Sequence, residues 1–295
     1  MVSVLVFVKQ GLHSSINVSF VALSLVDFVK CLFYIWMNIS VLNVVFDLFH
    51  VFPVLDAYYL TAAWPIALTE RVSLFITAYL TIERYLSVAA PLHVKKLITY
   101  KKTTAVLIVI VISNVLTVIP IYISSSLDWR FWPQFNATLY SVYLKSNREE
   151  LEDISFAFHA LLELFSLCLI ILFNFLLILQ LKRQSSWRLS KSSSIVLKKN
   201  IFVNKDAKAK KMVITLAALT SVCHLPAVTA SMTTDFVREY RIYGAYGPLV
   251  NVIFSFTFLF GSISSAAKII IFYTTSSTFR VTLHKLCCLK NISPK

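Results

Sequence analysis

Apolar runs approaching or exceeding 20 residues recur along this chain, and they constrain its fold more than any other feature. A helix needs roughly 20 residues to cross a ~30 Å hydrocarbon core, and lipid offers no partner for an unpaired backbone N–H or C=O. Only helices and closed barrels meet that condition, and these runs are too long for barrel strands. With 58% hydrophobic and 14% charged residues, a mean hydropathy of +0.75 and 295 residues, the chain reads as an all-α, polytopic membrane protein.

Six complete spans are predicted, over residues 16–39, 62–89, 103–125, 154–181, 212–234 and 246–273. Residues 1–8 are apolar but too few to span, and they lack the cleavage pattern of a signal peptide. This stub reads as the inner end of a preceding helix, with the rest of residues 1–15 as a first cytoplasmic loop. The expected architecture is one seven-transmembrane helix bundle over residues 1–295, with most of its first helix missing from this chain. A long Ser- and Lys-rich connection, 182–211, reads as a solvated, mobile loop, and 274–295 as an amphipathic tail.

The net charge of +14 does not point to nucleic acid, because its distribution follows the spans. Lys95, Lys96, Lys101 and Lys102, the basic residues of 182–211, and Arg280, Lys285, Lys290 and Lys295 fall in alternate connections. The other connections mix a few arginines with Asp128, Glu149, Glu150, Glu152 and Asp235. Positive connections mark the cytoplasmic side, so the C-terminus is expected there, in a plasma-membrane protein surrounded by lipid. Asn136-Ala137-Thr138 is then an outer glycosylation sequon. Cys31, Cys168 and Cys223 lie in apolar segments, and Cys287 and Cys288 lie in the tail, where they read as palmitoylation sites. No cysteine falls in an outer loop, so no outer disulfide can form within the chain. No nucleotide loop, metal spacing or nucleophile elbow is present, and neither enzyme activity nor a cofactor is expected.

Asn17-Val18-Ser19-Phe20-Val21-Ala22-Leu23-Ser24-Leu25-Val26-Asp27 resembles the second helix of rhodopsin-like (class A) G-protein-coupled receptors. Glu83-Arg84-Tyr85, with Pro91-Leu92 beyond it, resembles that family's acid-Arg-Tyr motif and second inner loop. Cys223-His224-Leu225-Pro226 resembles its Cys-Trp-x-Pro motif with His in place of Trp. Ser73, eleven residues before Arg84, and Asp206, twenty before Pro226, fall where the family has a sodium-site ligand and an acid that pairs with the motif arginine. The texture of Tyr58-Tyr59-Leu60-Thr61-Ala62-Ala63-Trp64-Pro65 is similar to invertebrate, especially molluscan, chemosensory-type receptors. Departures accompany these matches. Lys268 stands at the asparagine of the last-helix motif, with Phe272 and then Tyr273 at its end, and Ile66 replaces the aspartate that binds amine ligands. The resemblance argues against a biogenic-amine receptor.

The function implied is transduction of an extracellular small-molecule or peptide signal to a heterotrimeric G protein. Glu83, Arg84, Tyr85, Leu92 and Asp206 would form the coupling switch, with Leu92 inserting into the G protein. Asp27, Ser73, His224, Pro226, Lys268 and Phe272 would transmit the signal through the core. Asp27 would pair with Lys268, whose ammonium would stand where sodium otherwise sits; Lys30, three residues on, is the rival partner. Glu70, Arg71, Glu163 and His224 are candidates for the ligand pocket, because ionisable groups inside a membrane are costly and are kept for function. A structural Arg71–Glu163 bridge is the plainer alternative, as is a hydrogen-bonded core role for His224. Two further readings stay open, a channel or transporter with Glu70, Arg71 and Glu163 as its polar path, and a truncated, non-signalling receptor.

Overall fold

The computed structural model describes residues 1–41, 59–133, 136–144, 148–190, 200–240 and 244–288. Helix α1 (Val2–Lys9) leads into α2 (Ser15–Val41). A π turn (Tyr59–Ala63) opens α3 (Trp64–Ala89), followed by the short α4 (Pro91–Leu97), α5 (Tyr100–Leu116) and α6 (Ile119–Ser124). Strands β1 (Ser125–Trp132) and β2 (Ala137–Leu144) precede α7 (Arg148–Ser190), α8 (Asn200–Phe236), α9 (Gly247–Thr275) and α10 (Ser277–Cys288). Among the described residues, six helical stretches are long and apolar enough to cross a membrane: Ser15–Ile39, Tyr59–Ala89, Tyr100–Ser124, Asp153–Gln184, Lys210–Phe236 and Gly247–Thr275. The protein is a multi-pass helical bundle.

Prolines set several of the boundaries. Pro91 has no N–H to continue α3, so the chain turns through Ala90 (φ −138°, ψ 65°) and restarts with proline in the first turn of α4. Pro120 likewise separates α5 from α6. There the Val118 N–H bonds the Val115 carbonyl at 3.0 Å, and the Asn114 carbonyl is left for other donors. In α8, Pro226 removes the bond that would reach the Val222 carbonyl.

Helix α3 is the axis of the bundle, packed against α2, α5, α7 and α8. Its most apolar stretch is 61% buried, against 22–50% for the other five spans, whose outer faces are left for lipid. The core nearest α1 joins four helices through Phe7, Phe20, Phe272 and Phe279, with ring centroids 5.0–5.8 Å apart. Phe272 is therefore a packing residue at the junction of α1, α2, α9 and α10.

One expectation needs correction. The connection 182–211 is not a simple loop: α7 runs on to Ser190 and α8 begins at Asn200. Lys- and Ser-rich stretches carry no helix-ending signal by themselves, and helices already anchored in the bundle extend into them; residues 191–199 lie outside the described residues. The connection after α6 is an antiparallel hairpin that pairs Trp129 with Tyr140 and Phe131 with Thr138. Its turn closes at Asn136, which is exposed and sits at φ 45°, a left-handed position asparagine tolerates. The period-two alternation Leu127, Trp129, Phe131 was the legible signal for that strand.

Candidate functional site

Polar groups gather at three depths along α3. At the end near α4, Arg84 Nη2 pairs with Glu83 Oε1 at 2.9 Å, and Ser15, the first residue of α2, donates to the same oxygen at 2.6 Å. Glu83 is 2% exposed at its side chain and Arg84 16%, so the acid is anchored between α2 and α3 while the base faces the bundle's edge. The Arg84 Nε meets no acceptor among the described residues. Tyr85 leaves this cluster and packs edge-on against Phe173 of α7, with centroids 5.6 Å apart. Leu92, on α4, is 81% exposed. The side chains of Asp206, Cys287 and Cys288 lie outside the described residues.

The second level is at mid-bundle. The buried face of α2 repeats at Phe20, Leu23, Asp27, Lys30 and Tyr34, the three–four spacing of a core-facing helix. That face puts Asp27 opposite α9, where Lys268 Nζ reaches its Oδ1 at 3.0 Å. Lys268 also donates to Ser73 Oγ of α3 at 2.8 Å, and Ser73 and Ser265 donate to Asp27 at 3.3 and 3.2 Å. The rival is present too: Lys30 Nζ lies 3.6 Å from Asp27 Oδ1, fully buried and without a hydrogen-bond acceptor among the described residues. Asp27 thus meets both lysines, and Lys268 holds the shorter, hydrogen-bonded contact. His224 is buried (1% exposed) and its Nε2 has no partner among the described residues, which departs from a fully hydrogen-bonded core histidine.

Towards the hairpin, a cavity of about 280 Å³ opens between α3, α7, α8 and α9. Glu70 and Glu163 line it, together with Trp64, His159, Ser231 and Asn251. Arg71 and His224, expected in the same pocket, are not among its lining residues. Arg71 turns the other way, into the gap Pro120 leaves between α5 and α6. Its Nε donates to Asn114 Oδ1 at 2.7 Å and its Nη2 to the freed Asn114 carbonyl at 3.1 Å, with Thr117 Oγ1 as a further acceptor. Its Nη1 meets His159 Nδ1 at 3.1 Å. A guanidinium only donates, so Nδ1 accepts and the ring carries its proton on Nε2, 3.5 Å from Glu163 Oε1. No direct Arg71–Glu163 ion pair forms among the described residues; His159 stands between them.

Glu70 occupies a different neighbourhood. Its Oε1 accepts a 2.5 Å hydrogen bond from Tyr34 of α2, and both groups press on Gly261 of α9. A Cβ at Gly261 would lie 2.5 Å from Tyr34 Oη and closer still to Glu70 Oε1. Glycine is required there by close approach, not by backbone angle. Sequence reasoning missed Tyr34, Asn114, Ser265 and Gly261. Gly261 is one of only four glycines in the chain, and that rarity was its one signal.

Among curated proteins none matches this sequence. The model of the serpentine type 7TM GPCR chemoreceptor family Srw matches residues 4–290, nearly the whole chain, and the protein belongs to that family.

Proposed function

We propose that this receptor acts in the rhodopsin-like manner, converting the binding of an extracellular chemical or peptide ligand into activation of a heterotrimeric G protein. The observation that carries this reading is the arrangement of α3. It presents Glu70 to the cavity at one end and the Glu83–Arg84 pair at the other, about 20 Å away at ~1.5 Å per residue. A ligand that shifts α3 or α8 relative to its neighbours changes the packing around Arg84, and arginine can exchange one acceptor for another without losing its charge. Between the two ends lies the Asp27–Ser73–Lys268 cluster, which links α2, α3 and α9. The basic connections orient the Arg84 end to the cytoplasm and the hairpin outward in the plasma membrane. In that orientation Asn136 sits exposed at the outer turn for glycosylation, and Leu92 stands free on the inner side to meet the G protein. Asp206 would complete the resting lock on Arg84, and Cys287 and Cys288 would anchor the tail by palmitoylation.

The test is a ligand screen on the full chain in cells that supply a promiscuous G-protein α subunit, with an energy-transfer reporter of heterotrimer dissociation. An agonist response that disappears in Arg84→Ala at matched surface expression is expected. Ligand-evoked current or uptake in cells lacking G proteins, with no heterotrimer response, would overturn the reading.

A further inference from the structure

We infer that the cavity at the hairpin end takes a ligand with a cationic head, an ammonium or guanidinium, carried on an apolar or aromatic body. This deepens the receptor reading above and rests on it. The cavity wall is unevenly charged. Glu70 and Glu163 both line it and are only 3% and 1% exposed. A carboxylate taken out of water ordinarily holds short donors, and these two are underserved. Among the described residues Glu163 has two polar partners, His159 Nε2 and Ser231 Oγ, each at 3.5 Å, the outer limit of a hydrogen bond. Among the described residues Glu70 takes one donor, Tyr34, on a single oxygen.

The bases that balance these acids overall are withdrawn from the cavity. Arg71 is spent on Asn114, Thr117 and His159, and Lys268 on Asp27 and Ser73. Lys30 lies beside Asp27, and none of the three lines the cavity. Among the described residues, therefore, no ammonium or guanidinium lines the wall to compete with an entering cation for the two carboxylates. Tyr59, Trp64, Phe156, Phe254 and Phe258 supply the rest of the surface, where ring faces attract a cation and cover an apolar body. About 280 Å³ lies just below the ~300–1,000 Å³ usual for ligand sites, enough for one compact head group and a ring. The acids are not placed as an amine-binding aspartate at Ile66 would be: one is a turn further along α3 and the other is across the cavity on α7.

The experiment uses the full chain purified into zwitterionic nanodiscs and titrated calorimetrically, with empty-disc heats subtracted. The probes are 4-phenylbutylguanidine, its neutral isostere 4-phenylbutylurea, and 5-phenylpentanoate. The guanidine is expected to bind at least about tenfold tighter than the urea, and the pentanoate most weakly. Glu163→Gln should lower guanidine affinity about tenfold while leaving the urea within about threefold, and Ala67→Phe, which fills the cavity, should abolish binding of both. A urea or pentanoate that binds as tightly as the guanidine overturns the inference, and so does the absence of saturable guanidine binding up to about 1 mM. The unsubstituted protein alone decides this, so a variant that fails to fold does not protect the idea. No G protein is present in the titration. Failed coupling with the guanidine preference intact would sink only the receptor reading, and the converse result only this one.

Discussion

Replacing Lys268 by methionine keeps the volume of the side chain but removes the ammonium that meets Asp27 at 3.0 Å and Ser73 at 2.8 Å. Removing one partner of a buried ion pair costs about 3–5 kcal/mol, mostly because the other charge is left uncompensated. Here the cost should fall at the low end, about 3 kcal/mol, because Lys30 at 3.6 Å remains beside Asp27. Asp27→Asn should be worse, about 5 kcal/mol, since it strands two buried ammoniums instead of one carboxylate. The double variant strands only Lys30, so it should be less damaged than the two singles taken together, by about 2–3 kcal/mol. Cys223 is buried in α8, and a thiol-reactive fluorophore would report its exposure on heating in detergent, where about 2–4 °C corresponds to 1 kcal/mol. Lys268→Met should therefore lower the midpoint by about 6–12 °C. Strict additivity of the singles, or Lys268→Met more damaging than Asp27→Asn, would refute the reasoning that Lys268 and Lys30 share one acid.

The same unfolding assay serves two further substitutions. Gly261→Ala drives a methyl group into Glu70 and Tyr34 and should cost about 1–3 kcal/mol; adding Glu70→Ala should recover part of it, and an unchanged midpoint in the single variant would contradict the close approach. Phe272→Ala opens the four-ring junction of α1, α2, α9 and α10 and should cost about 3–5 kcal/mol, with a loss below 1 kcal/mol counting against that packing. Because the Lys268 ammonium already sits on Asp27 and Ser73, exchanging NaCl for KCl at equal ionic strength should leave guanidine-probe binding unchanged, whereas Lys268→Asn should make it sodium-dependent. Strong sodium inhibition of the unsubstituted protein would end the idea of a tethered cation.

Much of the membrane architecture was legible in the chain because it depends on quantities that are local and additive. Apolar length set the spans, and Pro91, Pro120 and Pro226 marked their ends and breaks; each acts through its own missing N–H wherever the helix finally packs. The seven-helix receptor class followed from the order of Asp27, Glu83-Arg84-Tyr85 and Cys223-His224-Leu225-Pro226, and the family match bears out a chemoreceptor bundle. The partners of the buried charges were not legible in the same way. Asp27 had two lysines to choose from, and both reach it, because α9 lies opposite the face of α2 on which Lys30 also sits. Arg71 and Glu163 lie on neighbouring helices, and a bridge between them was the plainer alternative to a shared ligand pocket. The Val118 N–H bonds Val115 instead of Asn114, so the Asn114 carbonyl is open to the guanidinium and draws it away, and His159 fills the space between. Which acid meets which base depends on the rotation and depth of one helix against another. A single span's sequence carries its own buried face, but not the neighbour that face will meet.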